Sequence, residues 1–146
     1  MAFRGTFDHT LDAKNRLTVP ARYRSALADG VVLAIPIDQK PCVGVWRPDD
    51  YDRYTERTLA GQAPLSADRA QLERFLYGNS ADIELDAAGR VMVPSFLTEH
   101  GGLQKEVVVV GVGDRLELWD RARWNDHRPT LLHGVAEITA RVDHPA

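Results

Sequence analysis

The apolar positions of this chain come in short alternating runs and in slightly longer one-faced clusters, and the switches between the two periods mark out its elements. Arg16-Leu17-Thr18-Val19 alternates polar and apolar as a half-buried strand does, and residues 7–11 read as a short strand before it. Pro20 and Pro94 each follow such a strand. Proline suits a first helical position, where its missing N–H has no partner to lose. Helices are therefore expected over residues 20–27, stopped by Asp29-Gly30, and 94–100, stopped by Gly101-Gly102. Strand-like runs then return in two pairs: 31–37 with 42–46, and 106–110 with 115–119, the second turned by Gly111-Val112-Gly113-Asp114. Each pair leads into a helix start, Arg47-Pro48-Asp49-Asp50-Tyr51 and Asp120-Arg121-Ala122-Arg123-Trp124, with acidic residues where capping and the helix dipole favour them. Ser66 is a good N-cap for a helix over 67–77, with Leu72, Phe75 and Leu76 on one face. Past Arg128-Pro129 the periodicity weakens, and the segment down to Asp143-His144-Pro145-Ala146 is expected to fray.

The pattern is written twice. Leu11-Asp12-Ala13-Lys14-Asn15-Arg16-Leu17-Thr18-Val19-Pro20 returns as Leu85-Asp86-Ala87-Ala88-Gly89-Arg90-Val91-Met92-Val93-Pro94, with six of the ten residues identical. Asp8 matches Asp82, and Val43-Gly44-Val45-Trp46 lines up with Leu116-Glu117-Leu118-Trp119. A unit this small cannot bury its apolar face alone, so two copies imply a built-in pseudo-dimer. The organisation expected is a first repeat over 6–53, a connecting helical segment over 54–79, a second repeat over 80–123 and a C-terminal tail over 124–146. Asn15 and Gly89 hold equivalent turn positions. Both residue types enter the left-handed region more readily than most, so φ > 0 is expected at each.

Composition adds little until charge is resolved along the chain. The 146 residues are 44% hydrophobic and 27% charged, ordinary values for a globular domain. The single cysteine, Cys42, permits no intrachain disulfide and fits a reducing cytoplasm. No apolar run approaches the roughly 20 residues needed to cross a bilayer, and the opening residues lack a signal-peptide pattern. A cytoplasmic protein without a membrane partner is expected. The net charge of −3 argues against a nucleic-acid partner, but its distribution argues for one. Over residues 1–26, Arg4, Lys14, Arg16, Arg22 and Arg24 outweigh Asp8 and Asp12 by three charges. Over residues 80–104, Arg90 faces Asp82, Glu84, Asp86 and Glu99, a balance of −3. Two units of one shape thus carry opposite charge, as a division of labour would require.

The candidate chemistry is cationic. DNA binding needs cations against phosphates and a few donors able to reach base edges, and arginine's planar fork serves both. Arg16 follows the turn, Lys14 lies on it, Arg22 and Arg24 lie on the helix after it, and Arg4 lies on the N-terminal arm. The Asp12/Arg16 spacing has a second reading, an ion pair that braces the turn, and the two roles can coexist. For Asp86/Arg90 the bracing role is the better reading, since its surroundings are acidic. Trp46 and Trp119 read as core. The five histidines lack metal-ligand spacing, and no nucleophile-and-base set stands out. An enzyme, a metal, a cofactor and a small-molecule substrate are not expected. The alternative to a DNA-binding regulator is an oligomeric interaction or scaffold module that does not touch nucleic acid.

The doubled Asp-x-x-x-Arg turn, each copy followed by a strand ending in proline, closely resembles the MraZ family of bacterial transcriptional regulators. Phe3-Arg4-Gly5-Thr6 and Pro20-Ala21-Arg22-Tyr23-Arg24 resemble that family's N-terminal signature, and the likeness runs from Phe3 to about Trp124. Asn15 departs from it, standing where glycine is usual. The resemblance implies an α+β, mainly β fold: a duplicated swapped-hairpin β-barrel of the AbrB/SpoVT-like superfamily with short helices, both halves coming from one chain. It further implies a nucleoid-associated protein that binds direct repeats in the promoter of the division and cell-wall gene cluster. Such proteins act mostly as repressors and as homo-oligomeric rings.

Overall fold

In the computed structural model, which describes residues 2–142, the two repeats are interleaved rather than set side by side. Strands β1 (Thr6–Thr10), β2 (Arg16–Thr18), β3 (Val31–Ala34) and β4 (Cys42–Trp46) belong to the first repeat. Strands β5 (Ser80–Ile83), β6 (Arg90–Met92), β7 (Glu106–Gly111) and β8 (Arg115–Asp120) belong to the second. They form a six-stranded antiparallel sheet of order β1-β7-β8-β4-β3-β5 and a two-stranded ribbon of β2 with β6. Each repeat's first strand pairs with the other repeat: β1 with β7, from Thr6 against Val110 to Thr10 against Glu106, and β5 with β3, from Ile83 against Val31 to Ser80 against Ala34.

The registers show an internal two-fold axis. In the β4–β8 pair, Cys42 faces Trp119 and Trp46 faces Arg115, with Gly44 and Glu117 opposite each other at the centre. In the β2–β6 ribbon, Arg16 faces Met92 and Thr18 faces Arg90, with Leu17 and Val91 at the centre. Two bonds beside the ribbon are reciprocal: Val19 N–H donates to the Gly89 carbonyl and Val93 N–H to that of Asn15, both at 2.9 Å. One core draws on both copies. Leu17, Val19, Val91, Val93, Leu97 and Leu118 are at most 2% exposed, and each buried side chain of this size contributes about 1.5–3 kcal/mol.

The duplicated swapped-hairpin fold is present, but the barrel does not close. β1 and β5 remain the edges of an open sheet, because the chain turns out of each of them into β2 or β6, and those two strands pair with one another. Of the two helices expected after the prolines, the first is shorter than residues 20–27 and the second keeps its expected length, one residue further on. Helix α1 spans only Ala21–Arg24 and α4 Ser95–Gly101, and Pro20 and Pro94 occupy the caps just before them rather than the first helical position. The run after Gly30 is a strand only to Ala34, since Pro36 cannot donate to a ladder. Helix α2 (Pro48–Leu59) follows β4, and α3 (Ala67–Gly78) starts at Ser66, whose hydroxyl accepts from Arg69 N–H at 3.0 Å.

The expected fraying past Pro129 is not what the chain does. Helix α5 runs unbroken from Arg121 to Val142 with Pro129 inside it. The proline costs that turn one backbone hydrogen bond. Alanines, leucines and arginine after it favour the helical state. Residues 143–146, the end of the expected frayed segment, lie outside the described residues.

Candidate nucleic-acid interface

The two Asp-x-x-x-Arg turns are built alike, bond for bond. Asp12 Oδ1 accepts from the backbone N–H of Lys14 and of Arg16, both at 2.9 Å, while Arg16 Nε donates to Oδ2 at 2.6 Å. In the second copy Asp86 Oδ1 accepts from the N–H of Ala88 and Arg90, and Arg90 Nε donates to Oδ2 at 2.8 Å. A carboxylate suits this position because it can accept several bonds at once, closing the turn with one oxygen and aiming the guanidinium with the other. Both carboxyls are held below the ordinary 3.8 of an aspartate. The bond from the arginine's backbone N–H is the chief cause, some desolvation opposes it, and the guanidinium adds to it. Asn15 and Gly89 complete the turns at φ 57° and 75°, in the left-handed region as expected.

The ribbon joins these turns into one face. Its inward residues, Leu17 and Val91, are buried, so Arg16, Thr18, Arg90 and Met92 share the outer side. Arg90 Nη1 lies 4.0 Å from Asp12 Oδ2, so the second repeat's arginine reaches the first repeat's acid. Charge segregated along the chain is therefore not segregated in space. The two arginines still differ in company: Arg90 stands between two carboxylates, at 2.8 and 4.0 Å, whereas Arg16 pairs with Asp12 next to the exposed Lys14.

Helix α1 carries Arg22 and Arg24, and Arg24 reaches the second repeat's turn. Arg24 Nε donates to the Val19 carbonyl at 3.0 Å, and its guanidinium lies over Gly89, where any Cβ would stand 2.8 Å from Nε. Glycine at this position thus satisfies both a backbone angle and the arginine packed on it. Arg22 sits over the Phe7 ring, 5.1 Å from its centre. Arg4 is fixed through its carbonyl, which accepts from the Tyr23 hydroxyl on α1, while the neighbouring Phe3 is buried edge-on to the Tyr23 ring. The N-terminal arm and α1 therefore meet, and α1 packs through Arg24 on the second repeat's turn rather than on the first. Thr18 and the 55%-exposed Met92 were not singled out from sequence. The alternation around Leu17 and Val91 was the available signal, because it sets residues two apart on one side.

Trp46 and Trp119 lie in the core, 4% and 3% exposed. Among the described residues no cluster of His, Cys, Asp or Glu could hold a metal ion, and no helix is long and apolar enough to cross a membrane. Burial pushes the Cys42 thiol well above its usual range, so it is not a reactive thiolate.

A strand-swapped, duplicated hairpin protein with acid-braced arginines on a two-stranded ribbon is the class these features define. A family profile described as "MraZ protein, putative antitoxin-like" matches residues 2–74 and 76–141. A protein of Heliobacterium modesticaldum named transcriptional regulator MraZ is 33% identical over 141 residues, 96% of each chain. Proteins of the same name from Hydrogenovibrio crunogenus and Nitrosomonas europaea are 35% and 37% identical, over 92% and 84% of this chain and 90% and 84% of their own. The chain belongs to the MraZ family.

Proposed function

We propose that this protein is a sequence-specific DNA-binding transcriptional regulator, a repressor acting on direct repeats in the promoter of a division and cell-wall gene cluster as a homo-oligomeric ring. The relatives named transcriptional regulators support a role in transcription rather than catalysis, and with it a cytoplasmic, nucleoid-associated location. The observation that supports DNA binding is the Arg16 guanidinium held by Asp12 on the outer face of the ribbon, with Lys14 exposed on the same turn and Arg24 lying over the turn at the ribbon's other end. Arg22 and Arg4 are proposed to extend this cationic surface. Asp12 holds the Arg16 guanidinium in a fixed direction, which lowers the cost of ordering it on a base or phosphate. Arg90, held between two carboxylates, braces the turn and leaves the phosphates to the first repeat. One patch of about five cations binds DNA weakly. Several patches on a ring act at high effective concentration on adjacent repeats.

The test is a salt titration of affinity for duplex DNA taken from upstream of the protein's own gene. Arg16→Ala is expected to abolish specific binding while the protein stays folded and assembled. Lys14→Ala and Arg22→Ala are each expected to weaken binding and flatten the slope of log affinity against log salt by up to about one unit. Arg90→Ala should leave the slope unchanged. Equal flattening by Arg90→Ala and Arg22→Ala would overturn the division of labour between the repeats. Absence of binding by the wild-type chain at any salt would favour the scaffold reading.

A further inference from the structure

The internal two-fold extends to the helices, and it exposes a gap. Trp46 of β4 stacks with Tyr51 and Tyr54 of α2, ring centres 5.4 and 4.7 Å away and the two tyrosines 6.1 Å apart. Trp119 of β8 does the same with Trp124 and His127 of α5, at 5.4, 4.8 and 6.0 Å. Helices α2 and α5 are thus equivalent, residue 46 matching 119, 51 matching 124 and 54 matching 127. The next turn of α2 is covered. Helix α3 folds back on it, with Tyr51 donating to the Leu76 carbonyl at 2.6 Å and Arg69 to the Leu59 carbonyl at 3.1 Å. Thr55 and Leu59 are 1% and 4% exposed as a result. The residue of α5 that corresponds to Leu59 is Leu132, and it is 63% exposed. No described element of the chain stands over α5 as α3 stands over α2.

What lies bare is an ordered stripe. Leu131, Val135, Ile138 and Val142 recur at intervals of four, three and four, a single helical face, and they continue the face on which Trp124 is buried. Their exposures run from 42% to 71%. A helix extending about 20 Å past its own core (1.5 Å per residue) with one apolar face is built to be covered.

The chain also carries a surface shaped to cover it. Between α3 and the turn that follows β3 runs an open groove of about 440 Å³ with Ile37, Leu72 and Phe75 along it and Asp68 and Gln71 at its side. Ile37 is 38% exposed. The charges agree: Arg128 and Arg141 flank the apolar stripe, and Asp68 sits on the groove. Helix α3 is, moreover, the very element that the second repeat lacks.

We propose that the distal half of α5, residues 128–142, packs into the α3–Ile37 groove of a second copy of this chain, which supplies from outside the cover that α3 gives α2 from within. Ridge and groove are different surfaces, so the contact is heterologous. Each subunit offers one of each, and the chain of contacts closes into a ring or runs on as a filament. The assignment rests on the oligomeric reading given above and names the elements that make it.

The test uses the full-length protein in two single variants, Val135→Glu on the ridge and Ile37→Lys in the groove. Both positions are exposed, so thermal unfolding followed by circular dichroism should show each variant folded. Sedimentation at micromolar concentration is expected to show the wild type as an oligomer and each variant as a monomer. An equimolar mixture should form a one-to-one heterodimer and nothing larger, since one variant keeps the ridge and the other keeps the groove. If both variants retain the wild-type assembly, the interface lies elsewhere and this assignment fails, while the oligomeric reading stands. If each variant dissociates but the mixture forms no heterodimer, the stripe and the groove are not each other's partners and the assignment fails. A wild type that is itself monomeric overturns both.

Discussion

At the scale of single residues, Asp12 and Asp86 do two jobs with two oxygens. One oxygen closes the turn through backbone N–H groups, and the other holds the arginine. Because the folded state binds the charged form, both carboxyls titrate below their ordinary 3.8. A depressed folded pKa adds stability that is fully present above the unfolded value and is lost as pH falls through the folded one. The wild type should therefore lose stability as pH falls from about 4 toward 2 by more than an Asp12→Asn/Asp86→Asn double variant, while the two differ only by a pH-independent offset above pH 5. Urea unfolding at a series of pH values measures this. Parallel curves for the two proteins through the acid range would show that the turns gain nothing from the carboxylate charge.

At the scale of elements, the β2–β6 ribbon is the hinge of the design. It is only three residues deep on each side, yet it holds both turns, and its inward residues Leu17 and Val91 are 2% and 0% exposed. Leu17→Ala is expected to cost about 2–5 kcal/mol, as buried leucine truncations do, because the cavity opens at the centre of the two-fold where both repeats pack. The ribbon also explains why Gly89 and Asn15 are not equivalent despite their shared backbone angle. Gly89 lies beneath the Arg24 guanidinium, so Gly89→Ala is expected to destabilise by about 1–3 kcal/mol, through strain at positive φ and displacement of Arg24. Asn15→Gly is expected to stay within about 1 kcal/mol of the wild type. Chemical denaturation of the three variants checks all of these values, and an unchanged Leu17→Ala protein would remove the ribbon from the core.

At the scale of the whole molecule, exchange of first strands makes the repeats a single cooperative unit. The ladder partner of β1 is β7, and that of β5 is β3, so each pairing crosses the chain's midpoint. Fragments 1–79 and 80–146 are each expected to be unfolded as monomers, because each then presents an unpaired first strand and half of a shared core. Mixing them should restore the β-sheet signal in circular dichroism. A separately folded monomeric fragment would show that the copies are domains rather than halves. The same interleaving changes the meaning of charge: a basic first repeat and an acidic second one, distinct along the chain, place Arg90 within 4.0 Å of Asp12.

Local order was legible in the sequence because local chemistry decides it. Alternation around Leu17 and Val91, the Asp-x-x-x-Arg spacing, the left-handed residue pair Asn15 and Gly89, and the Ser66 cap all act within a few positions, and the ten-residue echo announced two units of one shape. Which cations share a surface was not legible, since Arg24 of the first repeat lies over Gly89 of the second. Which strand pairs with which was not: β1 lies nearer in sequence to β2 and β3, and only packing of both cores at once places it on β7. The open sheet was also a tertiary outcome, since the resemblance implied a barrel and the turn geometry instead directs β2 and β6 to each other. Helix α5 shows the limit most plainly. Its weak local signal past Pro129 suggested fraying, yet the chain stays helical there and presents Leu131, Val135 and Ile138 to solvent. Sequence determines what each segment can form within a few residues; contacts between distant segments decide which edges are paired, which charges meet and which apolar face is left for a partner.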